Sequence, residues 1–545
     1  MAANPTVAAP DAADVVVVVG SGPSGGVVSH TLASRGLRVV CLEQGDWVNA
    51  SDFPANNPQW ELQVQQQWHH DPNLRRLPAD YPLDVSDSDL SPVMYNAVGG
   101  STIFYGGQWV RLLPSDFRVR SVDGVADDWP ITYEELDPYY RDLEQFIGVA
   151  GLPGDTTYPP GPDYPLPPHP IGRVGRKAAQ SANALGWHWW PGVHSIASQK
   201  FKELVQCARW GVCEWGCPEG AKASADIAYW PHALRSGAVL LTGARARCVE
   251  TRDDGRVTGV LWIDRDGVEH RIRANAVVLC CNSIGTARLM LLSASASHPD
   301  GLANSSGMVG RNLMLHPNAT VTGFYDEDLH SWQGPAGSLV HSMEFYETRP
   351  EHDFVRGIKL MALPTPGPLM SVETHRSKDY DEVWGERFLE VAGRAKGGIL
   401  WAANTEDLPE ESNRIELDPV LTDSHGVPSP KVRYRISENT NKLLDFSLAR
   451  MTELHLAGGA TTTVPVRLWL DQPGHLLGTA RMGTDPARSV VDSFGRAHDA
   501  PNLFVADGSL FVTGASANPT ATISALALRV ARNLADTAGD QEALV

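Results

Sequence analysis

"DVVVVVGSGPSGGVVSHTLASRGLRVVCLEQGD", Asp14–Asp46, carries the signals of a nucleotide-binding unit in chain order. Val15–Val19 is short, apolar throughout and β-branched, which predicts a buried parallel strand. Gly20-Ser21-Gly22-Pro23-Ser24-Gly25 follows as G-x-G-x-x-G. Val27, Val28, Leu32 and Ala33 then repeat at helical spacing until Gly36 stops the helix. "LRVVCLE" is the second strand and ends at Glu43.

Each part has a physical task. Gly20 makes the tight turn, and Gly22 lets the backbone approach a pyrophosphate. Gly25 lets the helix pack close to the sheet, with the helix N-terminus facing the phosphate charge. Glu43 stands where an acid receives the ribose hydroxyls. An acid there favours FAD or NAD over NADP, whose extra phosphate it repels. This unit alone leaves FAD and NAD both open.

The rest of the composition narrows the function classes. The chain has 545 residues, enough for two to four domain-sized units. Its formal net charge of -19 argues against nucleic acid or an anionic membrane as a partner. The longest apolar run near the N-terminus, Val15–Val19, is too short for a signal segment or a bilayer span, so the protein is expected to be cytoplasmic, with a mobile tail over its first ten residues. Most of the 16 tryptophans are expected to pack in the core, a few to form walls on which a sugar stacks. No H-E-x-x-H or comparable pattern suggests a catalytic metal.

Near the other end, "NLFVADGS" reads as a buried strand, Leu503–Ala506, ending in Asp507-Gly508-Ser509. "NPTATISALALRVARNLAD" reads as an amphipathic helix with Pro519 near its start and Asn518 just before it. A polar side chain and a helix N-terminus thus meet a strand end, a natural place for an electron-rich ring or a developing anion.

Together with the N-terminal fingerprint, "NAVGGSTIFYGG" (Asn96–Gly107), "SSGMVGRNLMLHP" (Ser305–Pro317), "HLLGTARMG" and "NLFVADGSLFVTGASANPTATISALAL" resemble the glucose–methanol–choline (GMC) family of FAD oxidoreductases. "DDWPITYEELDPYYRDLEQFIGVAG" and "ESNRIELDP" resemble its sugar-oxidising branch of pyranose oxidases, bacterial glycoside 3-oxidases and gluconate-type dehydrogenases. The resemblance implies an α/β fold in which a Rossmann-like FAD domain (1–50, 91–125, 205–325, 470–545) is interleaved with a substrate domain (51–90, 126–204, 326–469). An antiparallel sheet with flanking helices builds the second. Gly20, Gly22, Ser24, Gly25 and Glu43 then match the ADP half of the cofactor site, and Ala246 the adenine contact. Gly100 and Ser101 match the segment along the pyrophosphate and flavin edge, Asp507 and Gly508 the ribityl turn. Asn518, Pro519 and Thr520 match the pyrimidine end of the flavin.

His475 matches the family's catalytic base and Asn518 its second polar residue. An imidazole suits the removal of a hydroxyl proton near neutral pH, while an amide orients the same oxygen. Phe104 stands where some pyranose oxidases attach FAD through histidine, so non-covalent FAD is expected. Cys280-Cys281-Asn282 replaces the usual small residues after the strand "AVVL", and Ala480 in "GTARMG" is expected to widen the site. His316 is expected in a packing or supporting role, His69 and His70 on the surface or a substrate loop.

The implied activity is oxidation of a secondary hydroxyl of a sugar or glycoside, at C2 or C3 of the pyranose ring, to a ketone. O₂ or a quinone-like acceptor takes the electrons. Two alternatives stay open: a dehydrogenase subunit passing electrons through an iron–sulfur cluster on Cys207, Cys213 and Cys217, and a non-redox lyase or scaffold on the same fold. The C-x₅-C-x₃-C spacing of those cysteines fits neither a paired zinc motif nor a four-cysteine ferredoxin run, and favours free thiols. The Pro-rich Tyr158–Pro170 reads as an ordered surface loop or arm. Oligomeric state is left open.

Overall fold

The computed structural model describes residues 15–365, 367–369, 384–468 and 473–539; the expected N-terminal tail lies outside them. The first stretch folds as read. Strand β1 (Val15–Val19) runs into helix α1 (Pro23–Ser34), which returns to strand β2 (Arg38–Glu43). β1 and β2 pair in parallel with Val19 opposite Leu42, so Glu43 arrives beside the Gly20 turn. Three further parallel strands complete the sheet in the order Leu503–Val505, Ala276–Leu279, β1, β2, Val239–Thr242. All five β1 valines are buried, as a parallel strand covered on both faces requires. Each fully buried valine contributes about 1.5–3 kcal/mol as an upper estimate.

Close packing at the turn is enforced by glycine. A Cβ on Gly25 would lie 1.9 Å from the Gly20 carbonyl oxygen, and Gly20 itself sits at φ +96°. A side chain at either position displaces α1 from the sheet. The long C-terminal helix Thr520–Gly539 packs beside α1, which brings the last segment of the chain back to the first.

A six-stranded antiparallel sheet forms the second layer system. Its order is Thr462–Val466, Asn318–Phe324, Gly398–Thr405, Ile358–Leu363, Val340–Ser342, Trp190–Pro191. The two-residue alternation of strands divides its faces. Val321, Ile358, Leu360, Ile399 and Trp401 pack into one apolar cluster with residues of the helices Gly172–Leu185 and Glu438–Ala457. Asn318, Lys359, Met361, Ala402 and Asn404 take the alternate positions and face the other way. Arg414–Thr422 pairs with Pro428–Tyr434, which in turn pairs with Asp84–Ser88, in a separate three-stranded sheet. The Pro-rich segment is ordered and tied down: Leu166 donates its N–H to the Val149 carbonyl at 3.2 Å.

One short pairing matters more than its length suggests. Met314–Leu315 and Leu476–Leu477 pair antiparallel, with Leu315 opposite Leu476. The next residue on one strand and the preceding residue on the other are His316 and His475, which are thereby brought side by side. Among the described residues no helix is long and apolar enough to cross a membrane.

Candidate active site

A cavity of about 840 Å³ runs from the Gly20 turn to the open face of the antiparallel sheet. Gly20, Gly22, Ser24 and Glu43 line one end, with Ala246 nearby. Gly100, Ser101, Asp507 and Gly508 line its middle. Asn518, Pro519, Thr520 and His475 line the far part, next to Met361, Ala402 and Asn404 of the sheet. Gly25 is the one predicted cofactor residue outside the lining; it acts behind the loop, by letting α1 come close.

The nucleotide end fits a dinucleotide. A Cβ on Gly22 would meet nothing nearer than 4.0 Å, so the turn presents bare backbone toward the cavity. Both Glu43 oxygens are held by the chain: Ser21 donates its N–H at 2.9 Å and its hydroxyl at 2.6 Å to Oε2, and Gly45 donates its N–H at 2.8 Å to Oε1. Burial pushes the Glu43 carboxyl up, and these donors oppose the shift. The carboxylate is thus fixed in orientation while its remaining lone pairs are available to ribose hydroxyls. Asp507 is held in the same manner, accepting from the Thr286 hydroxyl at 2.6 Å and the Ser509 N–H at 2.9 Å.

At the other end the hydrogen-bond partners dictate where protons sit. His316 Nε2 lies 3.2 Å from the Gly514 carbonyl, which only accepts, so Nε2 carries the hydrogen. Burial holds the His316 ring down to about 4, so it is neutral and its Nδ1 is bare. That Nδ1 is 2.9 Å from Nδ1 of His475, which must therefore donate. His475 is itself held well below its ordinary value, first by burial and then by His316 and Lys359. Its Nε2 consequently carries a lone pair, directed to the side where Asn518 Nδ2 stands at 3.5 Å. A chain of two neutral rings ending on a backbone carbonyl selects the tautomer that can take a proton.

The Asn518 amide is oriented by a matching device. Lys359 Nζ donates to Asn518 Oδ1 at 2.6 Å and to Gln108 Oε1 at 2.8 Å. Both amides thus present their oxygens to the lysine and turn their NH₂ groups elsewhere. Lys359 is fully buried, and burial lowers it to about 7.

Two expectations narrow and one changes. His316 takes the supporting one of its two expected roles, since it touches His475. His70 takes the second of its two expected places: half-buried, it lines the cavity with His69, and its Nε2–H donates to the Glu214 carbonyl at 3.0 Å. Ala480 does not widen the site. It is fully buried away from the cavity, in the apolar core, with its N–H on the Ser509 carbonyl. Phe104 and Trp215 both line the cavity.

The cysteine cluster is not assembled as ligands. Cys207, Cys213 and Cys217 are free thiols, and each sulfur accepts a backbone N–H, from Arg209, Ala336 and Ala221 in turn. Burial raises the Cys213 thiol to about 12. Among the described residues no three His, Cys, Asp or Glu are grouped to hold a metal ion. The neighbouring Lys222 explains how this segment is used. Its Nζ donates to the carbonyls of Ile103, Tyr105 and Cys213 at 2.6–3.0 Å, stapling two stretches of cavity wall together.

Comparison with known proteins agrees with this architecture. The family model described as GMC oxidoreductase matches residues 90–318 and 409–527, and an NAD(P)-binding Rossmann-like model matches 18–80. The chain is 38% identical to 2-methyl-1,2-propanediol dehydrogenase of Mycolicibacterium austroafricanum, over 94% of each chain. It is 32% identical to 6'''-hydroxyparomomycin C oxidase of Streptomyces lividus, over 95% of this chain and 91% of that one. It is 29% identical to the fructose dehydrogenase large subunit of Gluconobacter japonicus, over 95% and 96%. The crystal structure of pyridoxine 4-oxidase from Mesorbium loti superposes with a TM-score of 0.63 over 96% of this chain and 99% of that one, at 18% identity, which supports the fold alone.

Proposed function

The chain belongs to the GMC oxidoreductase family, FAD enzymes acting on CH–OH groups, and on that premise we propose that it oxidises a secondary hydroxyl of a sugar or glycoside to a ketone, at C2 or C3 of the ring. The observation that carries this reading is the directed pair at the end of the cavity: a bare His475 Nε2 facing the Asn518 amide. FAD, when bound, accepts the hydride from the carbinol carbon. The protein's own task is the other half of the balance. His475 Nε2 takes the hydroxyl proton as the carbinol C–H bond breaks, and Asn518 Nδ2 donates to the same oxygen and holds it in line. A base so placed typically contributes on the order of 10²–10⁴-fold in rate.

Gly20, Gly22, Ser24, Glu43 and Ala246 would hold the adenosine and pyrophosphate half of FAD. Gly100, Ser101, Asp507, Gly508, Asn518, Pro519 and Thr520 would hold the flavin half. The cofactor is proposed to be non-covalent, because Phe104 offers no nucleophile. Electrons then leave to O₂ or a quinone-like acceptor. An anaerobic screen of monosaccharides and glycosides tests the reading: the flavin bleaches with a substrate and NMR identifies a ketone product. A flavin left oxidised by every sugar, or an aldehyde product, overturns it.

A further inference from the structure

The antiparallel sheet presents one polar rung to the cavity. In register, Asn318 lies opposite Asn404, and Asn404 lies opposite Lys359. Neighbours on a rung stand about 5 Å apart on the same face. Both outer members are engaged with the site already described. Asn318 Nδ2 donates to the His316 carbonyl at 2.7 Å, and Lys359 holds Asn518. Asn404, in the middle, is different. It is 98% buried and lines the cavity, yet its Nδ2 has no hydrogen-bond partner in the protein.

An unpaired buried amide N–H₂ costs about 1–3 kcal/mol, which a folded protein rarely leaves uncompensated. The rest of the rung states what can compensate it. Asn318 gives one amide N–H to the His316 carbonyl and keeps its carbonyl oxygen as an acceptor. Asn404 supplies a donor and Asn318 an acceptor. A hydroxyl needs both; a carboxylate, which only accepts, satisfies one of the two. Gln108, whose oxygen is held by Lys359 and by the Ser338 hydroxyl, adds a further donor in the same cavity.

We propose that Asn404 and Asn318 form a subsite for a second hydroxyl of the substrate, so that the enzyme selects polyols over simple alcohols. This rests on the reading of His475 and Asn518 as the pair that handles the first hydroxyl. The site built to pair a hydroxyl rejects the analogue that lacks it, since the amide is then left unpaired.

The test uses the FAD-loaded enzyme and two matched probe sets: propane-1,2-diol against propan-1-ol and propan-2-ol, and methyl β-D-glucopyranoside against its monodeoxy analogues. The ratio of kcat/KM for each polyol over its deoxy partner is read from anaerobic flavin reduction. The wild-type enzyme favours the polyol. Asn404→Leu lowers that ratio about 5- to 150-fold, the fold-change of 1–3 kcal/mol at 1.36 kcal/mol per decade. Asn404→Ala does the same, and a retained oxidised-flavin spectrum in either variant reports that the fold holds. No polyol preference in the wild type, or an unchanged ratio in both variants, overturns the subsite. Bleaching by no probe at all contradicts the oxidation reading instead. Calorimetric titration with the same probes then judges the subsite by itself: selective weakening of polyol binding in Asn404→Leu supports it, and equal weakening of polyol and deoxy partner overturns it.

Discussion

Replacing His316 by phenylalanine tests whether the two-histidine chain sets the protonation of the proposed base. The substitution removes the one acceptor of the His475 Nδ1–H, now 2.9 Å away. That group is partly buried, so leaving it unpaired costs up to about 1–3 kcal/mol. The ring escapes this cost by moving its hydrogen to Nε2, where it bonds toward the cavity and can no longer accept a proton. At 1.36 kcal/mol per decade, the base-competent fraction falls about 5- to 150-fold. Anaerobic stopped-flow flavin reduction at saturating sugar reads the loss directly. His316→Gln is the control that separates tautomer from packing: its oxygen accepts from His475 and its NH₂ reaches toward the Gly514 carbonyl, so most of the rate returns. A His316→Phe enzyme that binds FAD and reduces it at the wild-type rate refutes the reasoning, as does a glutamine variant no better than phenylalanine.

Lys359 makes stability depend on pH in a defined direction. Unfolded, its ammonium titrates at the ordinary 10.5; folded, burial lowers it to about 7. Between these values the unfolded chain binds the extra proton, so the folded state gains as pH rises. Denaturant melts of wild type and Lys359→Met should show their stability difference moving in the wild type's favour by about 4–5 kcal/mol from about pH 7 to 10.5; a flat difference contradicts this. Gly25→Ala forces a Cβ against the Gly20 carbonyl, 1.9 Å away with no movement, and overpacking of this kind costs about 1–3 kcal/mol. Titration of apoprotein with FAD should show weaker binding together with a lowered Tm, and wild-type values for both would mean the turn is looser than the structure shows.

How much of this was legible depends on how local each cause is. β1, α1 and β2 follow from adjacent residues: a valine run, glycines at three turn positions, then a second apolar run. The turn was therefore readable, and the residues matched to the cofactor, Gly25 excepted, line one cavity. His475 and Asn518 were singled out through long motifs that resemble a family. The contact between His316 and His475 had no local signal. It arises from the register of Met314–Leu315 on Leu476–Leu477, two segments far apart in the chain. Lys359 and Asn404 did carry a signal: Lys359 interrupts the apolar strand "IKLMAL", and Asn404 follows the apolar run of "GILWAANT". A lysine in such a run needs buried partners, and only the structure names them as Gln108 and Asn518. Ala480 follows His475 by only five residues, but the bend after Leu477 turns its side chain into the core and away from the cavity.

His475 Nε2 as the proton acceptor is the centre of the proposed chemistry. The direct measurement is the anaerobic rate of flavin reduction in His475→Ala with FAD bound, against wild type, at saturating substrate. The expected result is an intact flavin spectrum and a rate lower by about 10²–10⁴-fold. A rate near that of the wild type would show that another group takes the proton.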